Sequence, residues 1–153
     1  MDMKQAQAEP IGHLGLVAAT IQDMEMMETI DQQLGIAPGG VKYGQRVGAM
    51  LLNGLGFVDT PLYMTPRFFH DKPLSVLLGE GVEADQLNDD SLGRCLDKIA
   101  KYGVTRWYSE VALAVVQKAG LLSNRVHLDS TTLSLYGAYD DLDPTTDPKP
   151  LQG

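Results

Sequence analysis

The apolar residues of this chain change period once. Up to Gly120 they recur every three or four positions, and beyond it they alternate. Spacing of three and four lays an apolar stripe along a helix; alternation lays one along a strand. That order predicts an α+β fold, mainly α. A helical domain is expected over residues 11–122, the first strands of a sheet over 123–139, and a flexible acidic, proline-rich tail over 140–153. With 153 residues the chain has the length of one ordinary domain with a real core.

Within the helical part, Leu14, Val17, Ala18 and Ile21 share one stripe, and Met27, Ile30 and Leu34 continue it. They predict a helical pair or one bent helix, with Met24, Met26 and Met27 as core filler. Tyr43 to Gly56 places Val47, Met50, Leu51 and Leu55 on one stripe. Gly44 and Gly48, a turn apart, predict close approach of another backbone. Thr60-Pro61 and Thr65-Pro66 read as two short helix starts with threonine caps. A short helix is expected from Asp71-Lys-Pro73 to Gly79, and an acidic connection from Glu80 to Asp90. Asp89 or Asp90 then caps a helix with Leu92, Cys95, Leu96 and Ile99 inward and Arg94, Asp97, Lys98 and Lys101 outward. A last helix, from about Val104 to Ala119, turns Trp107, Tyr108, Val111, Ala114 and Val115 inward. Gly120 is its stop.

Beyond Gly120, Val126 and Leu128 occupy one strand face, and His127 and Asp129 the other. Leu133 and Leu135 alternate with the opposite parity, so a bulge or tight turn is expected within 130–132. Such a hairpin is marginal alone. Its apolar face is expected to pack near Trp107 and Val111, or its edge to find another chain.

Several classes fall away on composition. The single cysteine, Cys95, excludes an intramolecular disulfide and a Cys-based zinc cluster. No apolar run approaches the roughly 18 residues that span a bilayer, and no secretory leader is visible, which points to a cytoplasmic protein with no membrane partner. No glycine-rich loop follows a strand, so nucleotide-binding fingerprints are absent. The net charge of −8 opposes nucleic-acid binding on average. It is unevenly spread, however: residues 41–73 are net +2 and residues 91–118 net +3, between acidic stretches. These blocks are either solvated helix faces or, if they meet in space, one basic patch.

Asp129 ends a short apolar strand before a turn. A carboxylate held there by a sheet suits a divalent metal such as Mg²⁺; an aspartate before Ser-Thr also suits a turn or cap. His127 shares its face and would allow a His–carboxylate site. His13 and His70 stand alone.

Three stretches carry a resemblance: Tyr43 to Phe57 with Pro61-Leu-Tyr63; Leu87 to Lys98; and His127-Leu-Asp-Ser-Thr-Thr-Leu-Ser-Leu-Tyr-Gly137. Together they resemble the N-terminal region of bacterial insertion-sequence transposases of the Asp-Asp-Glu (DDE) type, over roughly residues 11–139. The resemblance implies a helical N-terminal domain ahead of an RNase H-like core, DNA transposition as the activity of the whole enzyme, and Mg²⁺ as its cofactor. It assigns Asp129 to the first catalytic, metal-binding acid. Two metal ions would activate the attacking oxygen and stabilise the leaving one, and need three carboxylates. The match supplies one, so the sequence reads as an amino-terminal portion, inactive alone. Transposon-end DNA is the implied partner. Lys42, Arg46, Arg67, Lys72, Arg94, Lys98, Lys101 and Arg106 are the cations available to its phosphates. A different class remains beside this one: a stand-alone helical interaction module that forms a homodimer, with no enzymatic role.

Overall fold

A computed structural model describes residues 11–55 and 60–122. Contacts along the chain divide it into one unit, Met1–Leu122, and another, Ser123–Gly153. Every described residue falls in the first unit, and no described residue is in a strand. The strands expected over 123–139 lie outside the described residues.

Seven α-helices are described: α1 Leu14–Asp23, α2 Met26–Leu34, α3 Tyr43–Gly54, α4 Thr65–Phe69, α5 Leu74–Leu78, α6 Asp89–Tyr102 and α7 Val104–Lys118. Two 3-10 turns, Leu62–Met64 and Ala84–Leu87, fill the connections around α4 and before α6. The stripe from Leu14 to Leu34 is a helical pair rather than one bent rod. Glu25 takes a left-handed backbone, φ 51°, which ends α1 and starts α2 in a new direction. Leu14, Ala18, Ile21, Met27, Ile30 and Leu34 are buried as the spacing predicts, and Val17 is half-buried.

α3 occupies the centre, packing against α1, α2, α4, α5 and α6. It serves two apolar clusters at once. Ala49 and Leu52 join Leu14, Met27, Phe69, Leu78 and Leu92 in one; Tyr43 and Val47 join Ile30, Leu34, Cys95, Ile99 and Val111 in the other. A side chain as fully enclosed as Leu52 or Leu92 contributes about 1.5–3 kcal/mol. The single stripe expected here is therefore a correction: Leu55 is 56% exposed, while Gln45, Arg46 and Asn53 are buried. The buried polar groups are served by distant main chain. Gln45 Nε2 donates to the Leu78 and Glu80 carbonyls, and Asn53 Nδ2 to the Thr60 carbonyl. Asp31 of α2 meets the first turn of α3, its Oδ1 accepting from the Gly44 amide at 2.7 Å.

Three local expectations also change. Thr65 is no cap; its hydroxyl turns back to donate to the Leu62 carbonyl at 2.7 Å, inside the core. The cap of α6 is Asn88 rather than Asp89 or Asp90, its Oδ1 accepting from the Ser91 amide at 2.9 Å. Tyr108 and Leu96, expected inward, are 67% and 47% exposed. The acidic connection holds Val82 and Leu87 in the core, so it is packed chain.

Candidate nucleic-acid interface

α6 presents its charge on one side because its apolar residues fill the other. Leu92, Cys95 and Ile99 are buried, which turns Arg94, Lys98 and Lys101 outward at i, i+4 and i+7. Arg94 is neutralised by Asp90 one turn earlier, an exposed pair of small energetic weight. Lys98 and Lys101 are exposed and carry no ion pair among the described residues. They stand three residues apart, about 4.5 Å along the helix axis.

Gly103, at φ 101°, turns the chain from α6 directly into α7. Arg106 there sits over the Tyr102 ring, 5.1 Å from its centroid, and its Nε donates to Glu110 at 2.8 Å. The Tyr102 hydroxyl donates to the other Glu110 oxygen at 2.6 Å. Hydrogen bonds from Arg106 and then Tyr102 hold the Glu110 carboxyl below its ordinary range; the same bond to Glu110 raises Tyr102. The first turn of α7 contains no acidic residue. The α6–α7 corner therefore gathers Lys98, Lys101 and a partly neutralised Arg106.

The other predicted cations do not join that corner. Lys42 is exposed at the start of α3, and Arg67 is exposed in the last turn of α4, each without an ion pair among the described residues. Lys72 is spent on the fold: it pairs with Asp71 at 2.9 Å, donates to the Phe68 carbonyl and lies over the Phe68 ring. Arg46 corrects the expectation of a surface cation. It is 4% exposed, with Nη2 donating to the Pro38 carbonyl at 2.6 Å and Nη1 to the Ser91 carbonyl at 3.4 Å. One cation from each basic stretch, Arg46 and Arg94, borders a cleft of about 420 Å³, where Asp85 and Asp90 also stand. Nothing in the sequence pairs Arg46 with a carbonyl 45 positions away.

A second concavity is apolar. About 280 Å³ opens between α2, α3 and α7, lined by Met26, Ile30, Val47, Leu51, Trp107 and Val111 with Tyr108 at its edge. Trp107 Nε1 is buried there without a hydrogen-bond partner among the described residues.

Residues 6–113 match a family described as a domain of unknown function, DUF4277. The chain belongs to that family. The match takes in α1 to α6 and most of α7, so the DUF4277 region coincides with the described helical domain. No curated protein matches the chain, and no solved structure does. Asp129 lies beyond the DUF4277 match and outside the described residues, as does His127. Among the described residues no three His, Cys, Asp or Glu side chains are grouped to hold a metal ion. Among them, too, no helix is long and apolar enough to cross a membrane.

Proposed function

We infer that this DUF4277 chain is the N-terminal portion of a DDE-type transposase, and that its helical domain touches transposon-end DNA through the α6–α7 corner. The three stretches that resemble transposase N-termini support this reading, two of them inside the DUF4277 match. The observation that carries the DNA contact is the exposure of Lys98 and Lys101, neither of which has an ion pair among the described residues. Each is free to exchange a counterion for a phosphate, which is the sequence-independent part of DNA affinity. A net charge of −8 means that such affinity resides in a local face and fades with salt. Asp129 keeps the role of first catalytic acid, with Mg²⁺ as the metal of the whole enzyme. Residues 1–153 match one of the three acids, so this chain by itself is expected to cleave no DNA with Mg²⁺ or Mn²⁺.

The test is fluorescence anisotropy with a labelled duplex at low salt. Binding should weaken with salt, with a logarithmic slope of about two, since two free lysines face the duplex. Lys98→Glu with Lys101→Glu should abolish it, and Lys42→Glu should not. Equal binding by the double variant sinks the corner as the contact, and no binding by the unaltered chain sinks the DNA reading.

The apolar groove beside Trp107 favours a second reading, a module that pairs with another protein chain, itself included. Sedimentation equilibrium separates the two: a dimer lost in Tyr108→Asp, from a chain that ignores DNA, supports the module.

A further inference from the structure

We propose that the cleft between the Pro38–Gly40 loop and the start of α6 binds a small phosphate-class oxyanion, inorganic phosphate or a phosphomonoester, on the buried guanidinium of Arg46. The proposal goes beyond the DNA reading and does not depend on it. Arg46 is 96% buried, yet no carboxylate lies within ion-pair distance of it among the described residues. Its two protein acceptors are neutral carbonyls, the Tyr43 ring lies against it with the guanidinium carbon 5.5 Å from the centroid, and its Nε has no hydrogen-bond partner among the described residues. A buried cation without a counter-charge is costly to hold, and an anion arriving at it regains part of what burial removed.

The cleft is built to admit one. Arg46 borders it together with Gly39, Asn88, Ser91 and Arg94. It opens at the N-terminus of α6, whose first turn already holds Asp89 and Asp90 and whose Asp90 and Ser91 amides donate to Asp89 and Asn88, so the attraction rests on Arg46 rather than on the helix end. Gly39, at φ 86°, brings main chain beside Arg46 where a side chain would stand 3.8 Å from Nη2. Asp85 and Asp90 also border the cleft, but both are exposed and Asp90 already pairs with Arg94. Water screens exposed carboxylates far more than it screens a buried guanidinium. Arg46 is therefore the least screened charge at the cleft, and the exposed acids stand beside it. That combination admits a single small anion and repels a duplex, which would press many phosphates against the mouth.

The experiment uses the whole chain labelled with ¹⁵N-arginine and follows the Arg46 Nε–H resonance. Inorganic phosphate should shift it saturably at millimolar concentration, while Arg67 stays still. Potassium chloride at matched ionic strength should leave both in place. Arg94→Gln, a surface change, should weaken the phosphate response about tenfold. No saturable shift, or an equal shift in chloride, overturns the proposal. A shift of Arg46 by a short duplex at lower phosphate concentration than inorganic phosphate needs overturns the assignment to a small oxyanion.

Discussion

Gly44 of α3 rests on the main chain of Met27 in α2, so that a Cβ at position 44 would collide with the Met27 carbonyl oxygen, carbonyl carbon and Cα. Backbone cannot swing aside as a side-chain tip can. Gly44→Ala must therefore push α2 off α3, at a cost of about 1–3 kcal/mol. A Cβ at Gly48 would meet Leu78 Cδ2 at 3.1 Å and Met27 Sδ at 3.3 Å and Cγ at 3.7 Å, all side-chain atoms that can shift, and Gly48→Ala should cost less. Gly93, inside α6 with open space around it, should gain up to about 1 kcal/mol on becoming alanine. Urea unfolding of the three variants should rank them in that order.

Gln45 fastens the α5 connection to α3 through the Leu78 and Glu80 carbonyls, and its Oε1 accepts from the Lys42 amide at 3.0 Å. Gln45→Met keeps the volume and removes all three bonds, leaving buried carbonyls unserved. The expected loss is about 1–3 kcal/mol by the same urea unfolding. A neutral outcome would show that water reaches these groups.

The Tyr102–Glu110–Arg106 cluster has a pH signature. Glu110 is held below its ordinary carboxylate value, so its share of stability is full above that value and is lost as pH falls through the depressed one. A ¹³C titration of the carboxyl should show a midpoint under 4.5. Tyr102→Phe should move it part of the way back, because the Arg106 bond remains. The group is exposed, so the effect on the melt should be slight.

Burial pushes the Cys95 thiol from its ordinary 9.0 up to about 11. The unfolded chain therefore ionises first as pH rises, and stability should begin to fall above pH 9 and go on falling until about pH 11. Thiolate absorbance at 240 nm should titrate near 11 in the folded protein. Ellman's reagent at pH 8 should report the rate of unfolding. Prompt reaction in the folded state would contradict an inert core thiol.

The sequence is most readable where a helix buries one side. α6 follows its pattern because Leu92, Cys95 and Ile99 face the core and the other side faces water. α3 misleads for the opposite reason: with neighbours on several sides it buries Arg46, Gln45 and Asn53, and the hydrogen bonds that make this possible come from chain up to 45 positions away. Spacing within one helix holds no record of those partners. The glycines were legible as packing surfaces because close approach has a local signature, which Gly44 meets against Met27. Of the predicted site, Lys98 and Lys101 share a face by helical geometry alone, whereas the fates of Arg94 and Arg106 turn on carboxylates one turn away. Asp129 lies outside the described residues and rests on its motif.

Because α3 walls both apolar clusters, the helical domain has no plane along which half of it can come apart. Losing α3 empties Ala49 and Leu52 from one cluster and Tyr43 and Val47 from the other in the same event. The slowest-exchanging amides of α2, α3 and α6 should thus share one opening free energy, behaving as a single foldon.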